Sequence, residues 1–287
     1  MRTPDGRTLE VVEAGAPDGP VVVAHHGTPG SGRFYRTEVE SARERGLRLV
    51  TYSRPGYAGS APNRDRDIAS AAADVAAILD GLGVERFATY GTSGGGPHAL
   101  ACAALLGDRC VAAATLAGVG PADAPGLDFM AGMGEGNIAE FGAAREGRDA
   151  LTEFCRADAA GLAQATPEQL ADAFRPHLSD VDAEALTGEL AEHLLTSIVD
   201  GLAPGVEGWV DDDFAFLAPW GFDVGAIEVP VLVWQGEEDL MVPASHAAWL
   251  REHVAGAQGE SLSGEGHLTV FANRVGDVHA WLAERLG

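Results

Sequence analysis

The chain has 287 residues, of which 46% are apolar, and 43 acidic residues against 19 basic ones give a formal net charge of −24. Such a charge excludes a nucleic-acid binder and disfavours anionic membranes and strongly anionic substrates such as phosphates. All 19 basic residues are arginine, so chemistry that needs a lysine, such as a pyridoxal Schiff base or a phosphate-loop ATPase, is excluded.

In chain order, Met1 to Gly6 lacks the apolar segment of a secretory signal. No apolar run reaches the roughly 18–20 residues of a membrane span. The three cysteines, Cys102, Cys110 and Cys155, have no metal-ligand spacing. These features predict a cytoplasmic protein with no nucleic acid, membrane or metal as partner; a small-molecule substrate, no cofactor and a monomer or homodimer are separate expectations. Apolar residues start at Leu9-Glu10-Val11-Val12. Residues 20–24 read as a buried strand that runs into His25-His26-Gly27-Thr28-Pro29-Gly30. A glycine-rich turn after a strand can aim a backbone N–H into a cleft. His25 and His26 point to opposite faces of a strand, so their spacing gives no two-histidine metal site. Residues 47–52 predict another strand and 67–82 a helix.

Residues 86–90 read as a strand and 98–106 as an alanine-rich helix. Between them lies Gly91-Thr92-Ser93-Gly94-Gly95, a G-x-S-x-G pattern. Strand, sharp turn and helix are the context in which this pattern presents a nucleophilic serine. Glycine two residues before and after the serine avoids collision with the neighbouring strand or helix. Residues 111–117 predict a further strand, although their alanines leave a helix open. Strands alternating with helices up to residue 121, and again from 229, predict a mainly parallel sheet covered by helices on both faces. From 122 to 227 the strand signal fades. Helices are expected at 138–145, 150–163, 167–174 and 182–202.

Residues 229–234 are a buried-strand run that ends in Gln235-Gly236-Glu237-Glu238-Asp239. A carboxylate just past the carboxyl end of a parallel strand lies on the ligand-binding rim of an open α/β sheet. Asp239 is the candidate acid. Glu237 and Glu238 are near rivals, and Asp123 is a more distant one. A short β-like piece, Ser261-Leu262-Ser263, closes in Gly264-Glu265-Gly266-His267, and a helix follows to 286. His267 in a glycine-rich loop is poorly explained as core packing, so it is the candidate base. His98 is a candidate for the pocket wall. His177, His193, His246, His253 and His279 fall in amphipathic stretches and read as surface or boundary residues. Ser93, Asp239 and His267 then stand in the order of a Ser…Asp…His triad. The oxyanion of an acyl-transfer intermediate needs two donors, and the backbone N–H groups of Thr28 and Gly94 are the candidates.

Together the 26–29 turn, the Ser53-to-Ser60 stretch, the serine turn, the Asp239 loop and the His267 loop resemble the α/β-hydrolase superfamily. The resemblance spans most of the chain. It implies an α/β-hydrolase fold with a mostly parallel central sheet flanked by helices. Residues 1–121 and 228–287 would form the core, and 122–227 a helical lid inserted before the acid-bearing strand. The His-Gly-x-Pro turn is similar to that of proline iminopeptidases, epoxide hydrolases and dehalogenases. The last two carry aspartate at the nucleophile, where this chain has Ser93. Proline iminopeptidases carry His-Gly-Gly-Pro-Gly and a tryptophan after the nucleophile, where this chain has Thr28 and Gly94. The resemblance therefore implies a serine hydrolase cleaving a small or medium neutral carboxylic ester or lactone through an acyl-enzyme. A proline iminopeptidase-like aminopeptidase is the alternative, and a non-catalytic ligand receptor on the same fold is the alternative of another class. In the lid, Phe129, Met130, Met133, Phe141, Trp209, Phe214, Phe216 and Trp220 are candidates for an apolar ceiling. Met133, Trp209, Phe214 and Trp220 are the expected substrate contacts. Asp211-Asp212-Asp213 reads as a solvated acidic loop, with a substrate amine as its other possible partner.

Overall fold

Apolar runs in the sequence become the strands of one seven-stranded sheet. The computed structural model describes residues 1–287, the side chain of Pro176 excepted. The elements are β1 (Val11–Gly15), β2 (Val21–His25), α1 (Arg36–Glu44), β3 (Arg48–Tyr52), α2 (Ser70–Leu82), β4 (Phe87–Thr92), α3 (Gly96–Leu105) and β5 (Cys110–Leu116). Six helices come next: α4 (Glu135–Glu146), α5 (Arg148–Leu162), α6 (Pro167–Phe174), α7 (Asp180–Ala185), α8 (Gly188–Gly201) and α9 (Glu207–Leu217). The chain then returns to the sheet through β6 (Val231–Gly236), α10 (Ala244–His253), β7 (Ser261–Leu262) and α11 (His267–Leu286).

The strand order is β1-β3-β2-β4-β5-β6-β7. Only β1 is antiparallel, paired with β3 at the edge. All five residues of β2 are buried, as a parallel strand covered on both faces requires. Val21, Val23, Val50 and Phe87 face α2, α3 and α10. Val22, Leu49, Ala88 and Tyr90 face α11 and the last turn of α1. The alanines of 111–117 form a buried strand. Their small side chains let α3 and α11 approach that part of the sheet closely.

Register decides where the turns fall. β2 pairs with β4 so that His25 lies opposite Gly91. The turn after β2 is thereby set beside the serine turn after β4. Residues 122–227 contain helices and no strand among the described residues. Two expectations there need correction. The helix expected at 182–202 is broken, because Thr187 is extended and Gly188 has φ of 51°. Two helices, α7 and α8, result. The acidic run 211–213, expected as a loop, lies inside α9.

Candidate active site

Ser93 sits where β4 ends, with φ of 53°. This left-handed conformation is uncommon for a residue with a Cβ and is kept only where the surroundings enforce it. A Cβ on Gly91 would lie 2.1 Å from the Gly95 carbonyl oxygen. One on Gly95 would lie 2.2 Å from the His25 carbonyl oxygen. Both glycines of the pattern are therefore required by close backbone approach. Behind the turn, His98 Nδ1 bonds the Gly94 carbonyl at 2.8 Å. Burial pushes His98 down to about 3, so the ring is neutral and donates this bond. His98 buttresses the turn from behind and does not line the cavity in front of Ser93, which corrects its expected place in the pocket wall.

His267 is the first residue of α11, and its Nδ1 lies 2.8 Å from Asp239 Oδ2. Asp239 accepts at this oxygen, so Nδ1 carries the proton and Nε2 is left as the basic nitrogen. Asp239 is itself held. Its Oδ1 accepts the N–H groups of Met241 and Val242, both at 2.8 Å. Its Oδ2 also accepts from Gln235 Nε2 at 2.6 Å. Glu237, Glu238 and Asp123 are exposed and make no bond to the ring. Burial opposes charge on His267, but Asp239 and, further off, Asp182 outweigh it and raise its pKa above the usual 6.5. Ser93 and His267 border one cavity and are not hydrogen-bonded to each other. Catalytic hydrogen bonds often tighten only when substrate is bound.

Thr28 and Gly94 come together as neighbours. A Cβ on Gly94 would lie 2.4 Å from Thr28 Oγ1. The Thr28 N–H donates to no protein acceptor among the described residues. Gly94 lies in the helical turn Ser93–Gly95 that leads into α3, where backbone N–H groups favour negative charge. The Thr28 side chain is clamped. Its Oγ1 donates to Asp212 Oδ2 at 2.8 Å and accepts from Arg54 Nη2 at 2.7 Å. Arg54 also donates to the carbonyls of His26 and Gly27. Sequence reasoning missed Arg54, Gln235 and Asp182. The only signal was that Arg54 follows β3, on the same rim as the two turns.

A cavity of about 140 Å³ touches Thr28, Ser93 and His267. Its ceiling is α8, through Leu190, His193, Leu194 and Ile198, joined by Phe174 from α6. The expected contacts Met133, Trp209, Phe214 and Trp220 do not line it. Met133 and Trp220 are buried in the core beneath α2, α3 and α10. Trp209 and Phe214 pack with α5, and Trp209 Nε1 donates to Glu140. Met133, Trp209 and Trp220 are taken up by this packing, at 5% exposure or less, and the Arg148 guanidinium lies over the Phe214 ring. The cavity's own aromatics are Phe34, Tyr90, Phe174 and Phe271. A carboxyl group also reaches its wall. Glu38 is 5% exposed, accepts from Tyr90 Oη at 2.5 Å and from the Tyr35 N–H at 2.6 Å, and is pushed up to about 7 by burial. His193 borders the cavity, and His246 and His279 are wholly buried. His246 and His279 are thus neither the surface nor the boundary residues that helical spacing predicts, whereas the half-buried His193 lies at a boundary as expected.

The run Asp211-Asp212-Asp213 is at most 3% exposed. Arg148 and Arg66 flank Asp211, at 2.6 Å and 3.4 Å. Asp212 bonds Arg54, Arg66, Thr28 and Tyr57. Burial opposes its charge, but the two arginines hold it well below the usual carboxylate range. Burial and the facing Glu140 carboxyl push Asp213 up. The run therefore belongs to the interior, contrary to the expected solvated loop, and it is not in the cavity. No group of three or more His, Cys, Asp or Glu side chains among the described residues is placed to hold a metal ion.

A mostly parallel sheet covered by helices on both faces, with a serine turn after a central strand, defines the α/β-hydrolase class. A family model of the alpha/beta hydrolase fold matches residues 20–273, and the chain belongs to that family. It is 33% identical over 115 residues to epoxide hydrolase A of Mycobacterium tuberculosis, a match that spans 39% of this chain and 36% of that protein. It is 25% identical over 266 residues to an uncharacterized hydrolase of Bacillus subtilis, covering 92% of this chain and 89% of the other. A thermophilic esterase from Thermogutta terrifontis shares the fold with a TM-score of 0.71 at 20% identity, over 100% of this chain and 97% of that one.

Proposed function

We propose that the protein is a serine hydrolase that cleaves a small or medium, neutral carboxylic ester or lactone. Ser93 is the nucleophile, His267 the general base and Asp239 the acid that orients it. His267 Nε2 takes the Ser93 proton as Oγ attacks the ester carbonyl. The Thr28 and Gly94 N–H groups stabilise the oxyanion. His267 returns the proton to the leaving alcohol, which gives an acyl-enzyme. Water, deprotonated by the same nitrogen, then releases the acid and restores Ser93. For a lactone the leaving alcohol stays tethered to the acyl group.

One observation carries this reading. A serine in a left-handed turn and a histidine held by an aspartate at 2.8 Å border the same cavity. Serine at position 93 also separates the chain from epoxide opening by an aspartate nucleophile. The aminopeptidase alternative loses its expected amine site, because Asp211 to Asp213 are buried away from the cavity.

The test combines labelling with turnover. A fluorophosphonate probe should label the wild-type protein at Ser93 and leave Ser93→Ala unlabelled. Turnover of p-nitrophenyl butyrate should fall by about 10⁴-fold or more in that variant. Wild-type rates in Ser93→Ala would end the assignment.

A further inference from the structure

α11 begins at His267, so the first N–H groups of this helix belong to the base and its neighbours. Such groups have no partner within the helix and need one from outside. The residue before the helix is Gly266, which has no side chain to supply one. The partner is Asp182, from α7. Its Oδ2 accepts the His267 N–H at 2.6 Å. Its Oδ1 accepts the N–H groups of Leu268 at 2.8 Å and Thr269 at 3.0 Å. The Ser179 hydroxyl donates to Oδ2 at 3.2 Å. Asp182 is wholly buried. The site is shaped around this carboxylate, because a Cβ on Gly266 would lie 2.2 Å from Asp182 Oδ2.

We propose that Asp182 is the positioning residue of the catalytic base: a helix of the 122–227 segment holds His267 in place by its backbone and lends it a negative charge. This rests on the reading of His267 as the base. Asp182 touches neither the imidazole nor the cavity and acts only through His267. The base is then fixed twice, at the ring by Asp239 and at the backbone by Asp182. A rotation of α11's first turn would move Nε2 away from Ser93, and displacements near 1 Å cost about 10²-fold in comparable sites. The Asp182 charge also favours the imidazolium that forms when the Ser93 proton is taken. The other anion that faces the ring is Asp239. The neighbouring Glu265 is occupied by Asn273 and Arg274.

The experiment compares wild type, Asp182→Asn, Asp182→Ala, the double variant Asp182→Ala/Gly266→Ser, and His267→Ala. Turnover of a neutral ester is measured against pH, with thermal unfolding recorded for each protein. In the wild type the acid limb of kcat/KM should lie above pH 6.5, because Asp239 and Asp182 raise the base. Asp182→Ala should lower kcat by about 10²-fold with a much smaller change in KM. Asp182→Asn keeps the shape and loses the charge, so it should move the acid limb down by roughly half a unit or more. It also keeps the test alive should the alanine variant fail to fold. In the double variant a serine side chain enters the vacated space and caps α11 from within. It should recover thermal stability and leave the acid limb displaced. Recovery of both stability and the wild-type pH profile would reduce Asp182 to a helix cap and overturn the proposal. So would unchanged kcat and pH profile in a folded Asp182→Asn. His267→Ala separates the two readings: if it turns over normally the base is misassigned, and if it is inactive while Asp182→Asn is unaffected only the present proposal fails.

Discussion

Asp239, Glu237 and Glu238 are three carboxylates within three residues, and their surroundings separate them. Asp239 is buried and receives two backbone N–H groups, a glutamine amide and the His267 ring. The two glutamates point to solvent. Asp239→Asn should keep the geometry and favour the wrong tautomer of His267, with a loss in kcat of about 10⁴-fold as in the comparable protease triad. Glu237→Gln and Glu238→Gln should retain most activity. An inactive glutamine variant beside an active Asp239→Asn would reverse the assignment. The placing of Asp239 beside His267 and the serine turn were legible because chain position and residue type specify them. The swap of Thr28 and Gly94 against the peptidase pattern was legible only as two separate differences. The structure makes them one, since Thr28 Oγ1 and Phe216 Cζ fill the space a side chain at 94 would need. Glu38 was not legible, because one carboxylate on an amphipathic helix reads as solvated. Burial raises it from 4.5 to about 7, although Tyr90 and Tyr35 bond it. The folded state therefore holds this proton more tightly than the unfolded chain. The contribution is present below pH 4.5 and is lost as pH rises through 7. Glu38→Gln removes the group, so unfolding free energies of the two proteins should draw apart by about 3 kcal/mol between pH 4 and pH 8, with the variant gaining at high pH. Parallel stability curves would show that Glu38 ionises normally.

α9 shows what spacing along an element does not reveal. Three acids in a row give a poor apolar stripe and invite a loop assignment. They form a buried helix because Arg54, Arg66 and Arg148 meet them from distant parts of the chain. Nothing local in the sequence pairs position 212 with positions 54 and 66. The same holds for the cavity ceiling. Leu190, Leu194 and Ile198 recur at a helical interval, but the face they present is chosen by how α8 packs, and the larger aromatics elsewhere drew the expectation. The ion pairs also tie α9 to the turn that carries Thr28. Asp212→Ala would leave Arg54 and Arg66 buried with their main partner gone. Removing one member of a buried pair costs about 3–5 kcal/mol, measurable by urea unfolding. Asp172→Asn, at an exposed acid of α6, should stay within about 0.5 kcal/mol of wild type. Equal stability of the two variants would show that the network carries no net energy. Ester turnover in folded Asp212→Ala should also fall, because the Thr28 clamp is loosened.

The alternation of strands and helices up to residue 121 and after 229 set the sheet and its two covering layers, because buried parallel strands leave an unmistakable apolar run. Strand order and register needed the three-dimensional pairing. The excess of negative charge acts at the same scale, on every substrate that approaches. A net charge of −24 on 287 residues repels anions before they reach the cavity. Inside, Glu38 adds a further carboxyl to the wall. The arginines of the 122–227 segment, at 145, 148, 156 and 175, do not line the cavity. Arg148 is paired with Asp211. Arg33 borders the cavity, but its guanidinium is paired with Asp200. An ester whose acyl chain ends in a carboxylate should therefore meet repulsion without a free cation to offset it. A neutral butyrate or hexanoate ester keeps the apolar gain of burial, about 25 cal/mol per Å². Its kcat/KM should exceed that of the matched carboxylate ester by at least about tenfold, or roughly 1.4 kcal/mol. Added salt should narrow the gap, since the Debye length shrinks from about 10 Å at 0.1 M to 3 Å at 1 M. A gap that survives high salt would place its cause at short range, with Glu38→Gln as the variant to close it. Equal rates at low salt would refute the charge argument and point to Arg33, released from Asp200, as the group that receives the anion.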